Sequence, residues 1–280
     1  MKFVAVSDLH IVPKGKASRG IDTAARLRKG LAELVANHGD AAFCVMAGDL
    51  CDHGEIGAYE YLQEMIADLP MPVHLMIGNH DDRVNFKTVF TERTVDGDGF
   101  VQSWTDLPDG RFIFMDTYEK GRSDGRLCER RLAWLDGALA GAADGAFVFL
   151  HHPPFRLGTF IDALRLVEHR GLAEVMLKHG NVRHIFAGHT HRPCSGAWHG
   201  IPCATFGATT YNGGLHLADR PGNTPRYYTP GYSAVVLVDN EQVVLHPNDF
   251  LSNNLQIDAI NFGFSEQAVI ATARQRGLMA

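Results

Sequence analysis

Lys2-Phe3-Val4-Ala5-Val6-Ser7-Asp8-Leu9-His10 carries an apolar run that breaks directly into an acid and an imidazole. The pattern returns four times along the chain. Residues 42–47 (AFCVMA) run into Gly48-Asp49, and residues 73–77 (VHLMI) into Gly78-Asn79-His80-Asp81. Residues 146–150 (AFVFL) end in His151-His152-Pro153, and residues 183–187 (RHIFA) in Gly188-His189-Thr190-His191. Short, nearly unbroken apolar runs of this kind are strands covered on both faces of a sheet. Residues 112–115 (FIFM) make a sixth.

Amphipathic segments alternate with these strands. Residues 22–38 place Leu27, Leu31, Leu34 and Val35 on one face before Gly39, and residues 55–69 place Tyr59, Leu62, Met65 and Ile66 likewise. Further helices are expected over 129–139 and over 164–179, the latter closed by Gly180. Alternating strands and helices imply a layered α/β core, assigned to residues 1–207. Residues 208–232, rich in Gly, Pro, Thr, Asn and Tyr, read as a cap or oligomerisation segment. Residues 233–280 read as strands returning to the core (233–238 and 242–246 as a hairpin) and a terminal helix over 265–276.

Carboxyl ends of strands are where sites form in α/β sheets, and five strands here deliver Asp, Asn or His to such ends. In each motif alone these residues suit ordinary turns; five in order do not. Residues i and i+2 at a strand end project to one side, so Asp8 pairs with His10, and His189 with His191. Glycines 48, 78 and 188 precede donors and permit close backbone approach. Asp8, His10, Asp49, Asn79, His151, His189 and His191 offer oxygen and imidazole without thiolate, a donor set for Zn²⁺, Fe²⁺, Mn²⁺ or Co²⁺. Seven donors exceed the three or four that one ion takes from protein. Two divalent ions sharing a carboxylate, with Asp49 as the bridge, account for all of them.

Composition limits the partners. A formal charge of −6 has the wrong sign for gripping a nucleic-acid backbone, so no nucleic-acid polymer is expected. No run approaches the ~20 apolar residues of a membrane span. Five cysteines without a Cys-x-x-Cys pair argue against a disulfide framework. With no secretory pattern at residues 1–7, a cytoplasmic location is expected. The 15 histidines, against 7 tyrosines, are the unusual count.

The ordered set Asp8-Leu9-His10, Gly48-Asp49, Gly78-Asn79-His80-Asp81, His151 and Gly188-His189-Thr190-His191 resembles the calcineurin-like metallophosphoesterase superfamily over residues 1–205. With His151-His152-Pro153-Pro154, it is most similar to bacterial class III cyclic nucleotide phosphodiesterases and the related glycerophosphodiesterases. The resemblance implies a four-layer α/β/β/α sandwich and two metals. One would be held by Asp8, His10, Asp49 and His191, the other by Asp49, Asn79, His151 and His189. His80 would contact the phosphate and help protonate the leaving group, oriented by Asp81 or Asp82. Attack would come from a hydroxide bridging the ions. Asn79, His80 and His53 are the candidate substrate contacts, and a homo-oligomer is expected.

Two divalent ions, two carboxylates and one hydroxide sum to about +1, which suits a diester monoanion better than a monoester dianion. A small phosphodiester is therefore the expected substrate. The alternatives are a phosphomonoesterase or nucleotidase on the same scaffold, and a non-catalytic metal-binding scaffold.

Overall fold

The computed structural model describes residues 1–91, 95–217, 227–252 and 265–277. Among these, β1 (Lys2–Val6), α1 (Thr23–His38), β2 (Cys44–Ala47), α2 (Ile56–Ile66), β3 (Val73–Met76) and α3 (Arg83–Val89) build the first half. Then come β4 (Ser103–Leu107), β5 (Gly110–Phe114), α4 (Glu129–Ala140), β6 (Ala146–Leu150), α5 (His169–His179), β7 (Val182–Ala187), β8 (Cys194–Trp198) and β9 (Ile201–Thr205). Short strands β10 (Asn212–Gly213) and β11 (Tyr227–Tyr228) pair with each other. Long strands β12 (Tyr232–Val238) and β13 (Val243–Asp249) precede α6 (Glu266–Gln275).

One sheet has the order β13-β12-β1-β2-β3 and the other β4-β5-β6-β7-β9-β8. β1, β2 and β3 run parallel through the α1 and α2 crossovers, and β12 returns antiparallel against β1. The strand period of two decides the layering. Phe3 and Ala5 face the other sheet, while Val4 and Val6 face the helices. In β6, Phe147 and Phe149 face inward between the sheets, and Ala146, Val148 and Leu150 meet α4 and α5. The space between the sheets is filled by phenylalanines, with Phe3 stacked on Phe43 at 4.8 Å and Phe149 on Phe186 at 4.9 Å. Three apolar layers thus separate four structural ones, the α/β/β/α sandwich that the resemblance implies.

Departures from the expectations are local. Asp22 caps α1 rather than joining it, accepting from Ala25 N at 2.9 Å, and Val35 is 37% exposed. The helix expected from 164 starts only at His169. Leu166 N donates to Pro153 O and Val167 N to Gly125 O, which keeps 165–168 out of the helix beyond a 3₁₀ turn at Phe160–Leu164. Strands β4, β8 and β9 escaped the apolar-run reading. β8 and β9 are joined by His199-Gly200, both at positive φ (52° and 82°), as a two-residue hairpin turn requires.

The described part of 208–232 is tied into the core. Thr209 N donates to Ser7 O, Thr210 Oγ1 to Asp8 O, and Arg26 Nη1 to the carbonyls of Thr210 and Thr229. Residues 218–226 of the expected cap, and 253–264 and 278–280 of the expected C-terminal region, lie outside the described residues.

Candidate metal centre

β1, β2 and β3 of one sheet and β6 and β7 of the other end at the same edge of the sandwich, and their exits converge. Asp8, His10, Asp49 and His191 bring ligand atoms within 4.8 Å of one another, and His151 and His189 gather beside them with His152. The i, i+2 pairing works by a different geometry from the expected pleat. Asp8, His10, Asp49, His189 and His191 all have left-handed backbones, with φ between 45° and 68°. Each such residue costs about 1–2 kcal/mol, and five at one site mark backbone strain held by its surroundings. Loop-to-loop hydrogen bonds hold it: Asp8 N to Gly48 O, His10 N to Asp49 O, and His189 N to Asp8 Oδ1.

The glycines fit their expected task. A Cβ at Gly78 would stand 2.3 Å from Asp49 Oδ1 and 2.5 Å from His151 Nε2, and one at Gly48 would stand 2.3 Å from His151 Nδ1.

Hydrogen bonding fixes which ring nitrogen is free. His10 Nδ1 donates to Asp52 Oδ1 at 3.0 Å, His151 Nδ1 to Ala47 O at 2.8 Å, and His191 Nδ1 to Tyr211 O at 2.7 Å. Each Nε2 is left as a lone-pair donor toward the cluster. His10 Nε2 and His191 Nε2 are only 3.0 Å apart, a placement that needs a cation or a proton between them. Asn79 Oδ1, His151 Nε2 and His189 Nε2 are buried without any hydrogen-bond partner. Buried polar atoms are rarely left so. His151 Nε2 is 3.3 Å from Asp49 Oδ1 but not aligned for a hydrogen bond. Asp49 lies between the two groups, with Oδ2 3.8 Å from His10 Nε2 and Oδ1 accepting from His80 N at 2.9 Å. The donors therefore fit divalent ions.

The charges agree. Burial and then the neighbouring His151 push His189 down to about 3, and burial lowers His191 despite Asp8, so both rings are neutral, as metal ligands must be. Burial also opposes the charged form of His151, but Asp49 outweighs it and raises the ring to about 9. A proton there stands in for a cation. Asp49 itself is held well below the carboxylate range; burial opposes this, and His151 and His10 prevail.

Among the other expected residues, His80 lines the cavity over the cluster with Asp49 and Asn79. Its Nδ1 is held 2.8 Å from the carbonyl of Asp52, not by Asp81 or Asp82. Asp81 is buried and accepts from Gly78 N, Cys51 N, Leu50 N and Tyr59 Oη, while Asp82 caps α3. His53 lies outside that lining, its side chain 68% exposed. Asp52 was missed from sequence. It holds His10 and also accepts from Ser18 Oγ at 2.6 Å and Arg19 Nη1 at 2.9 Å. Its signal was a second acid one turn past Asp49 in the same loop. His152, which follows His151 in the chain, has Nδ1 2.8 Å from Thr117 Oγ1 and a buried, unpartnered Nε2.

The sequence model of the calcineurin-like phosphoesterase family matches residues 1–193, which carry every one of these ligand candidates. The chain belongs to that family. Among its relatives, a probable cyclic nucleotide phosphodiesterase of Rhodopseudomonas palustris is 36% identical over 90% of this chain and 93% of its own length. A probable glycerophosphodiester phosphodiesterase of Arcobacter nitrofigilis is 30% identical over 78% of this chain and 81% of its own. The fold is shared with a dimetal phosphatase from Danio rerio at TM-score 0.67, with 14% identity, 89% of this chain and 96% of that one covered. This family member is thus a phosphoesterase with His and Asp clusters suited to divalent metal. Among the described residues no helix is long and apolar enough to cross a membrane.

Proposed function

We propose that the chain hydrolyses small phosphodiesters at a pair of divalent ions, with cyclic nucleotides and glycerophosphodiesters as the substrate classes that its relatives' names suggest. Asp8, His10, Asp49 and His191 would hold one ion, and Asp49, Asn79, His151 and His189 the other. The observation that carries this is the trio of buried, unpartnered acceptors Asn79 Oδ1, His151 Nε2 and His189 Nε2 beside Asp49. Bound ions of this kind polarise phosphoryl oxygens and supply a water acidic enough to react near neutral pH.

The chain's own groups do the rest. Asp52, Ala47 and Tyr211 fix the imidazole tautomers of His10, His151 and His191, so metal affinity depends on these oxygens. His80, tethered through Nδ1 to Asp52 O, keeps Nε2 for the substrate, where it can hold a proton at the leaving oxygen. Arg192 is the one guanidinium or ammonium among the described residues lining the cavity, and one of its nitrogens is committed to Gly213 O at 3.1 Å. That favours a singly charged diester over a doubly charged monoester. Chain loaded with Mn²⁺ or Co²⁺ is expected to cleave bis-p-nitrophenyl phosphate at least tenfold faster, by kcat/KM, than p-nitrophenyl phosphate. A clear preference for the monoester would sink the diesterase reading. A cytoplasmic, homo-oligomeric enzyme completes the proposal.

A further inference from the structure

Two large aromatic side chains stand in the open at the cavity that holds the candidate ligands. Phe160 is 48% exposed and Tyr227 54% exposed, and both line the space above Asp49, Asn79 and His80. They come from segments far apart in sequence. Phe160 opens the 3₁₀ turn, whose approach is fixed by Asp162 accepting from Leu157 N and Gly158 N at 2.7 and 2.9 Å. Tyr227 lies opposite Gly213 in the β10–β11 pair. An antiparallel bridge between Thr159 and Leu217 joins the two segments into one rim.

Neighbouring strand residues point to opposite sides. Tyr227 accordingly reaches this cavity, whereas Tyr228 lines a separate hollow beside Pro230. Tyr227 meets Tyr211 edge-on at 5.5 Å and 86°, and Tyr211 stacks on His191 at 4.5 Å and 29°. A continuous aromatic wall therefore runs from a proposed metal ligand to the mouth. The cavity over the cluster measures about 140 Å³ and opens to solvent beside the exposed Phe160 and Tyr227.

Resting on the diesterase reading, we infer that this rim is a stacking subsite for a nucleobase. Phe160 and Tyr227 contact the base, and Tyr211 positions Tyr227. The substrate class is then a nucleotide diester, its phosphate at the cluster and its base at the rim. An aromatic face accepts any base, so affinity comes from stacking more than from hydrogen-bond readout. Glycerol and ethanolamine esters have no π face to offer and bypass the wall.

The test uses the full chain and the fluorescent nucleotide 2-aminopurine riboside 5′-monophosphate, whose emission is quenched by stacking. Wild type is expected to quench it on binding. Tyr227→Ala and Phe160→Ala should each weaken binding by roughly tenfold to a hundredfold and lose the quench, while Tyr227→Phe retains both. With Mn²⁺-loaded protein, the alanine variants should lose at least tenfold in kcat/KM on 3′,5′-cyclic AMP, yet stay within twofold of wild type on glycerophosphoethanolamine. Absence of quenching by wild type would overturn the inference. An equal fall on both substrates, or no change on either, would also overturn it. So would a changed oligomeric state in light scattering with base binding intact, which would assign the aromatics to contacts between copies. Quenching without hydrolysis of any diester would instead count against the diesterase reading and leave the subsite standing.

Discussion

Phe149 and His151 are two residues apart at the end of one strand, and they live under opposite rules. Phe149 is fully buried in the layer between the sheets, extended in backbone and packed against Phe3, Phe114 and Phe186. His151 is as deeply buried, yet its Nε2 has no hydrogen-bond partner and its neighbours are left-handed loop residues. The middle of the sandwich follows the strand period and is filled mainly by apolar side chains. Its edge breaks that pattern, with strained φ at five donors and burial of charge. Local rules fail where function is placed, because the cost is met by the regular part of the fold.

Substitutions should separate the two regions. The largest effect is expected at the edge, where Gly78→Ala would push a Cβ into Asp49 and His151. Misplacement of this size costs on the order of 10²-fold in activity, with weakened metal retention measured after gel filtration. Wild-type retention would deny that the glycine creates the cluster. In the middle, Phe149→Ala should lose roughly 3–5 kcal/mol in urea unfolding, while the folded fraction keeps its metal. Loss of metal at unchanged stability would reverse the roles assigned here.

A smaller effect concerns His184, stacked on Phe186 at 4.2 Å far from the cluster. Burial pushes its imidazole down to about 4, against a hydrogen bond to Ile185 O. The unfolded chain takes up that proton near 6.5, so the unfolded state binds more protons between these values. Stability is therefore present above pH 6.5 and lost as pH falls toward 4. Lowering pH from 7 to 5 should cost wild type ~2 kcal/mol more than His184→Leu. Equal losses would show that the ring is not held neutral. Smallest is Gly137→Ala, inside α4 with nothing within 4 Å of the added Cβ. It should raise stability by about 0.5–1 kcal/mol and leave metal content alone. This glycine is the counterpart of Gly78.

These regions also differed in how far sequence revealed them. Runs such as AFVFL were readable because both faces of the strand are covered, and five polar exits were visible as the ends of such runs. β4, with alternating intermediate and exposed residues, and β8, mostly exposed, carry no such run. The start of α5 depends on contacts with Pro153 and Gly125, which no local pattern encodes. At the site, donor types and the glycines were legible. The left-handed backbones of Asp8 and His10 were not, since propensity places neither there. Asp52 was legible only as an acid one turn past Asp49, because its partners His10 and Arg19 lie over 30 residues away. A separation of 28 residues likewise hid the true tether of His80.

Metal stoichiometry tests the dinuclear cluster most directly. Protein loaded with Mn²⁺ or Co²⁺, freed of excess ion and analysed by inductively coupled plasma mass spectrometry, should carry two ions per chain, and Asp49→Ala close to none. One ion in wild type, or two retained in Asp49→Ala, would contradict a pair of ions bridged by Asp49.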